Sequence, residues 1–138
     1  MRQVFADSNY WLAICWPNDP WRAMAGRARA ALGTVRLITT EEVLTECLNA
    51  FAADRHLRER GVAAVHAIFG STDVHVVSQS HESFMRGFQL YERRRDKAYS
   101  LTDCISMSLM KLRGIREVLT NDHHFTQEGF HVLMRVAE

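Results

Sequence analysis

The chain has few of the cysteines and none of the long apolar runs that are typical of extracellular and membrane proteins. Of its 138 residues, three are cysteine and two are proline. Three cysteines with no C-x-x-C pair favour free thiols in a reducing cytosol over a disulfide framework. No apolar run approaches the roughly 20 residues that span a bilayer, and the N-terminal residues lack the apolar segment of a signal peptide. We therefore expect a cytoplasmic protein with no membrane partner.

A strong net charge is also absent. Seventeen basic and 16 acidic side chains give a formal charge of +1 at pH 7, so any basic surface for a polyanion must be local. The hydrophobic fraction of 47% and the charged fraction of 24% are typical of an ordinary globular protein. We expect residues 1–138 to form one domain with a single core.

Short β-rich segments alternate with helical segments along the chain. We predict strands at 3–7, 35–39, 73–78, 116–122 and 130–136 and helices at 8–15, 21–33, 39–56, 57–70, 80–95 and 100–114. Because the helical segments are long enough to be crossovers, the pattern predicts an α/β fold. Its expected form is a three-layer α/β/α sandwich around a mostly parallel sheet of about five strands.

Two acidic residues lie at the carboxyl ends of predicted strands. Asp7 ends the first strand and Asp122 ends the fourth. Taken singly, each is explained as a turn residue or a helix N-cap. Sites in open parallel sheets form outside the carboxyl ends of the strands, however, and two acids at that edge indicate a shared site.

Asp103 begins an apolar helix. The spacing Ser100-x-x-Asp103 resembles a capping box, and an acid in the first turn suits the helix dipole. Because the helix is apolar on nearly every side, we expect it to be largely buried, and a carboxylate at its start then needs a partner. Both a structural and a functional role for Asp103 are therefore open.

The helix at 39–56 carries three glutamates, Glu41, Glu42 and Glu46. The spacing Thr39-x-x-Glu42 matches a capping box, which explains Glu42 structurally. On a helical wheel the apolar side chains of this helix form one arc. Glu46 lies roughly 40° outside the edge of that arc, whereas Glu42 lies roughly 80° outside it. A solvated flank is the commoner position for a glutamate, but Glu46 is the acid of this helix best able to face a crevice.

Carboxylates that converge at one sheet edge repel one another and are driven to bind protons. A divalent cation removes that cost. Hard oxygen ligands without a matching set of cysteines or histidines favour Mg²⁺ or Mn²⁺. Mg²⁺ keeps several waters, one of which can attack a phosphodiester, and a second ion can stabilise the leaving oxygen.

Four segments of the chain resemble the acidic motifs of PIN-domain proteins, and more closely those of the VapC-like toxin ribonucleases of bacterial toxin–antitoxin pairs. The segments are FADSNYWLA, TTEEVLTECLNAF, RDKAYSLTDCISMSLMKLRGI and EVLTNDHHFTQEGFHVL. The first is weak alone, but the run DKAYSLTDCIS followed by Gly-Ile, LTNDHHF and GF is highly specific in combination. The resemblance covers essentially the whole chain.

The resemblance implies a PIN-like fold over residues 1–138 and metal-dependent endoribonuclease activity. It implies RNA as substrate and a protein antitoxin as partner, and we also expect a homodimer. The family's acidic quartet, which binds Mg²⁺ or Mn²⁺ and performs catalysis, corresponds to Asp7, Glu46, Asp103 and Asp122. Asn9 and Thr120 match polar positions that shape the site. One metal and two metals are both compatible with these residues.

The segment YERRRDK supplies four basic residues, Arg93, Arg94, Arg95 and Lys97. A solvated helix end explains at least two of them. Contact with RNA phosphates explains the rest, since an acidic pocket would otherwise repel RNA. We take Lys97, Arg94 and Arg95 as candidate RNA contacts, with Lys97 foremost because it lies in the family-like Asp-Lys pair.

His123 and His124 follow Asp122 directly. Histidine can act as an acid or a ligand near neutral pH, but adjacent residues rarely share one metal. We therefore expect both histidines to be surface residues without a catalytic role.

Two other functions use parts of the same pattern. A haloacid-dehalogenase-like phosphatase also has an aspartate after its first strand, but it needs a second acid two residues later, where this chain has Asn9. A non-catalytic module that binds RNA or protein at the sheet edge would not need the complete quartet of acids. Both are weaker hypotheses than the ribonuclease.

Overall fold

The computed structural model describes residues 1–135, which form five strands and seven helices. The strands are β1 (Gln3–Ala6), β2 (Arg36–Thr40), β3 (Val74–Val77), β4 (Glu117–Leu119) and β5 (His131–Val132). The helices are α1 (Ser8–Cys15), α2 (Arg22–Leu32), α3 (Glu41–Ala50), α4 (Arg55–Gly70), α5 (His81–Arg93), α6 (Leu101–Arg113) and α7 (His123–Gln127). No helix within residues 1–135 combines the length and the apolar character needed to cross a bilayer.

The five strands form one sheet in the order β3-β2-β1-β4-β5, and every neighbouring pair is parallel. The predicted α/β/α sandwich is confirmed, with a sheet that is entirely rather than mostly parallel. Right-handed crossovers put the helices between β1 and β3 on one face and those between β3 and β4 on the other. In agreement, α1 contacts α2, α3 and α4, whereas α5 packs against α6.

β1 is the central strand, and its side chains are buried on both faces. Val4, Phe5 and Ala6 are fully buried, as expected for a strand covered by helices on either side. Phe5 is paired with Ile38 of β2 and with Val118 of β4. This continuous apolar run fixes the position of the residue that follows it, Asp7.

The close packing of α5 on α6 explains a glycine inside a helix. A Cβ atom added to Gly87 would lie 2.3 Å from Cγ1 and 2.9 Å from Cα of Ile105. Because the Cα atom belongs to the backbone of α6, a larger residue would force the two helices apart. The absence of a side chain at Gly87 therefore sets the position of α6, which carries Asp103.

The predicted capping box at Thr39 and Glu42 is wrong. The N-cap of α3 is Thr40, whose side chain accepts a hydrogen bond of 3.0 Å from the backbone N–H of Val43. Thr39 instead lies buried within β2, where its hydroxyl donates to the carbonyl of Ala6 at 2.9 Å. Both threonines suit either role in sequence, and strand pairing decides between them.

The C-terminal part of the chain differs most from the prediction. The predicted strand 130–136 is observed at His131–Val132, and Val136 lies outside the described residues. The strand predicted at 116–122 ends at Leu119. After three residues without regular structure the chain forms α7, which is too short to show an apolar period in the sequence.

Candidate active site

The strand order reverses between β1 and β4, which are neighbours in the middle of the sheet. From β1 the chain proceeds to β2 and β3 on one side, whereas β4 and β5 lie on the other. Connections that leave the carboxyl ends of two such strands diverge and leave a crevice, which is the usual ligand site of this architecture. Asp7 follows β1 and Thr120 follows β4 at this point.

Asp7 is held in the crevice by groups from both strands. It is 3% exposed, and its backbone N–H donates to the carbonyl of Leu119 at 3.2 Å. The Thr120 hydroxyl lies 3.0 Å from Asp7 Oδ2 and 2.9 Å from Asn9 Oδ1, so its single proton can go to either oxygen. Asn9 is oriented in turn by Asn121, whose Oδ1 accepts from Asn9 Nδ2 at 2.6 Å. The two predicted supporting residues thus contact Asp7 or each other.

Asp103 lies in the first turn of α6 and forms the predicted capping box. Its Oδ2 accepts from the backbone N–H of Ser100 at 3.1 Å, and its own N–H donates to Ser100 Oγ at 3.0 Å. The residue is only 9% exposed. Among residues 1–135 no group donates a hydrogen bond to Oδ1 of Asp103. One oxygen serves the helix and the other is available to a ligand.

Glu46 is the acid of α3 that reaches the crevice. It is half-buried, and its Oε1 accepts a short hydrogen bond from the hydroxyl of Ser8, the residue after Asp7. The other two acids of α3 serve elsewhere: Glu41 accepts from the backbone N–H of Gln79 at 2.8 Å, and Glu42 from the Ser83 hydroxyl. Nothing in the sequence pattern singled out Ser8 as the partner of Glu46.

Asp122 is the N-cap of α7, and its Oδ1 accepts from the backbone N–H of His124 at 2.9 Å. The N–H of Asp122 donates to Thr120 Oγ1 at 3.1 Å. One hydroxyl therefore links the two strand-end acids, Asp7 and Asp122. The side chain of Asp122 is half-buried and remains accessible from the crevice.

The negative charges of the four acids act on one another. The pKa of Asp7 is raised to about 7, mainly by burial; the charges of Asp103 and Glu46 add to the rise, and the hydrogen bonds from Ser8 and Thr120 oppose it. Burial is also the main cause that raises the pKa of Asp103, with Asp122 and Glu46 adding to it. A divalent cation among these groups would offset both the burial cost and the repulsion. The carboxylate oxygens are the donors that Mg²⁺ and Mn²⁺ prefer, so the residues present fit such an ion.

Residues 4–130 match the family model described as PIN domain. The chain belongs to the PIN-domain family.

Relatives within the PIN-domain family show which branch the chain resembles. The 23S rRNA-specific endonuclease VapC20 of Mycobacterium tuberculosis, from strains CDC 1551 and H37Rv, is 27% identical over 127 residues, which cover 92% of this chain and 95% of the relative. The crystal structure of M. tuberculosis VapC20, described as a sarcin–ricin loop cleaving toxin, matches with a TM-score of 0.83 at 26% identity, over 92% of this chain and 95% of that one. DNA-bound VapBC from Salmonella typhimurium matches in fold, with a TM-score of 0.67 at 18% identity, over 96% and 97% of the two chains. This PIN domain is therefore VapC-like, as its motifs predicted.

One residue of the PIN-domain site was misjudged from the sequence. His123 is a surface residue as expected, with its side chain 75% exposed. The side chain of His124, however, is only 21% exposed, and its Nδ1 lies 3.3 Å from Asp122 Oδ1 and 3.6 Å from Asp103 Oδ2. The two rings are neighbours, with centroids 4.6 Å apart, but only His124 is turned inwards to the acids. Without α7 in the prediction, this difference in burial could not be foreseen.

The three predicted RNA contacts of the PIN domain have different surroundings. Arg94 donates from Nε and Nη2 to Glu128 at 2.8 and 2.9 Å, so its guanidinium is engaged. Arg95 and Lys97 are exposed, and Lys97 Nζ lies 3.5 Å from Asp96 Oδ2. An open groove of about 760 Å³ passes these side chains, and its lining includes Phe88, Tyr91, Arg95, Lys97, Tyr99 and Cys104. The groove reaches Cys104, the residue after Asp103, but among residues 1–135 its lining includes none of the four acids.

Proposed function

We propose that this PIN-domain protein is a divalent-metal-dependent endoribonuclease and the toxin of a toxin–antitoxin pair. The observation that supports this most is that four acids, Asp7, Glu46, Asp103 and Asp122, come from separate parts of the chain and lie around the ends of β1 and β4. The Thr120 hydroxyl contacts both Asp7 and Asp122. Glu46 accepts from Ser8, and Asp103 and Asp122 both lie within 3.6 Å of His124 Nδ1. Structural roles explain single members of this set, but they do not explain why acids that repel one another are kept together in a partly buried crevice.

The four acids would bind Mg²⁺ or Mn²⁺, and when bound the ion supplies a water nucleophile at neutral pH and neutralises charge on the phosphate. The chain's own contribution is to hold the acids rigidly. Thr120 and Asn9 fix Asp7, the capping box with Ser100 fixes Asp103, and Ser8 fixes Glu46. Hydrogen bonds to metal-binding side chains set the orientation of those side chains, and their loss typically lowers metal affinity or activity.

The substrate that we propose is 23S ribosomal RNA at the sarcin–ricin loop. The support is the likeness to VapC20, which carries that description and matches this chain over 92% of its length. The remaining parts of the proposal follow from the same likeness. They are a protein antitoxin as partner, a cytoplasmic location where ribosomes are found, and one PIN domain over residues 1–138.

We expect cleavage of 23S rRNA in intact ribosomes when the purified protein is added with Mg²⁺ or Mn²⁺, and no cleavage after chelation by EDTA. The metal dependence follows because the uncompensated acids would repel the phosphate backbone. Primer extension would map the cut, and purified transfer RNA serves as the competing substrate. Cleavage of transfer RNA with intact 23S rRNA would contradict the substrate, whereas equal cleavage in EDTA would contradict the metal dependence.

Arg95 and Lys97 are expected to bind the RNA backbone beside the acids. Replacing both with glutamine should raise KM for RNA about three- to tenfold and flatten its salt dependence, with kcat little changed, because phosphate contacts add binding without sequence information. The matched control is Arg27→Gln combined with Arg116→Gln, which also removes two exposed cations and leaves the groove lining unchanged. If both variants raise KM equally, the effect is one of net charge and the two residues are not specific contacts.

We also propose that the protein is a homodimer and that the outer face of α5 is its contact surface. Four large apolar side chains are exposed there, Phe84, Met85, Phe88 and Tyr91, and the rings of Phe84 and Phe88 stack with centroids 6.2 Å apart. A patch of this kind marks an interaction surface.

Sedimentation should show a dimer for the wild type and a monomer for Phe84→Glu, because a charge in an apolar interface is not desolvated without a large cost. The matched control is Gln89→Glu, which adds the same charge to an exposed position of the same helix outside the aromatic stripe. A monomeric wild type would contradict the dimer and leave this face to another protein.

A further inference from the structure

The imidazole of His124 presents a buried nitrogen without a partner to the acids of the site. Nδ1 is inaccessible to solvent and makes no hydrogen bond to any described residue. It lies 3.3 Å from Asp122 Oδ1 and 3.6 Å from Asp103 Oδ2, acids that belong to different elements. An unsatisfied polar atom in a buried position is costly, and in a native structure it commonly indicates a missing ion or water.

Several contacts hold His124 in this orientation. Its backbone N–H donates to Asp122 Oδ1 at 2.9 Å, and its ring packs against Tyr99 with centroids 5.5 Å apart. His123 lacks such support: its side chain is 75% exposed, and its Nδ1 lies 3.9 Å from Asp122 Oδ1. The ligand atoms of Asp122, His123 and His124 all lie within 4.8 Å of one another, but only Nδ1 of His124 is buried beside two of the proposed metal ligands.

We propose that His124 Nδ1 is a nitrogen ligand of the ion held by Asp103 and Asp122, which makes this a mixed oxygen and nitrogen site that prefers Mn²⁺ to Mg²⁺. The inference rests on the proposed function, since it adds a ligand to the proposed carboxylate site. Mg²⁺ is bound almost entirely by oxygen, whereas imidazole is a good ligand for transition-metal ions and raises their affinity. The neutral imidazole would carry its proton on Nε2.

The test is pulsed electron paramagnetic resonance on the full chain loaded with Mn²⁺ alone. We expect the ¹⁴N coupling of a directly bound imidazole, replaced by a ¹⁵N pattern when only the histidines carry ¹⁵N. The coupling should vanish in His124→Gln and persist in His123→Gln, which alters the exposed neighbour. Far-ultraviolet circular dichroism of the metal-free variants checks that both are folded, and the wild-type spectrum tests the proposal without any variant.

Calorimetry gives an independent measure. His124→Gln should weaken Mn²⁺ binding about tenfold or more and Mg²⁺ binding by less than about threefold, because only the transition ion gains from the nitrogen. Bound Mn²⁺ without histidine coupling, or coupling that is lost only in His123→Gln, would overturn the inference and leave the carboxylate site intact. Absence of any Mn²⁺ binding would instead overturn the proposed metal site together with this inference.

Discussion

Asp103→Asn is expected to lower the rate of RNA cleavage about a thousandfold or more without unfolding the protein. Asparagine is nearly isosteric, and its carbonyl oxygen can still accept the hydrogen bond that Asp103 Oδ2 now receives from Ser100. The substitution therefore keeps the capping box and removes only the charge. Loss of a group that stabilises charge in a desolvated site costs factors of this size. The measurement is the initial rate of 23S rRNA cleavage in Mn²⁺ at a saturating concentration of ribosomes.

The stability of the metal-free protein separates this prediction from simple damage. Burial and the charges of Asp122 and Glu46 raise the pKa of Asp103. The ionised carboxylate therefore destabilises the metal-free fold, and a neutral asparagine does not. We expect the metal-free Asp103→Asn variant to melt at the wild-type temperature or above it. The matched control is Asp96→Asn, since Asp96 is an exposed acid outside the crevice. Wild-type cleavage by Asp103→Asn, or a loss of activity explained by a lower melting temperature, would contradict the assigned role.

The site residues that could be predicted from the sequence are those whose position depends on local spacing or on chain order. Ser100 and Asp103 form the predicted box because both partners lie within one helical turn. Asp7 and Asp122 are linked through the Thr120 hydroxyl because each follows a strand, and parallel strands share their carboxyl edge. Glu46 could be chosen over Glu42 by its angle on the helix. None of these inferences requires knowing which distant residue lies beside which.

The sequence predictions that failed concern residues whose positions depend on contacts between elements far apart in the chain. Thr39 was taken for a cap because its spacing to Glu42 is right, yet pairing of β2 with β1 and contact with Trp11 bury it in the sheet. His124 was taken for a surface residue because α7 is too short to be recognised by period. No role was predicted for Glu128, because its three hydrogen-bond partners lie 17 to 34 residues earlier in the chain. Contacts of this kind arise from the packing of elements.

Glu128 connects three elements around the end of α7. Its side chain is 4% exposed and accepts hydrogen bonds from Arg94, the C-cap of α5, from Lys111 of α6 and from the hydroxyl of Tyr99. Burial by itself would raise the pKa of this carboxyl, but the hydrogen bonds from these three partners outweigh it and lower the pKa to about 2. Because α7 carries Asp122 at its other end, Glu128 also determines where that acid lies.

Glu128→Gln should lower the free energy of unfolding at pH 7 by about 2 to 3 kcal/mol, because it removes a buried carboxylate from two cations that are themselves partly hydrated. The folded-state pKa lies below the ordinary value of 4.5. The stabilisation from the carboxylate is therefore fully present above pH 4.5 and is lost as the pH falls from 4.5 towards 2. Urea unfolding of the wild type and the variant should give a difference in the free energy of unfolding that is large at pH 7 and smaller at pH 3.

Glu59→Gln, which disrupts an exposed ion pair with Arg55 on α4, should change stability little at either pH. An equal difference at pH 7 and pH 3 would mean that Glu128 acts through its shape, and the charge would then have no part in holding α7.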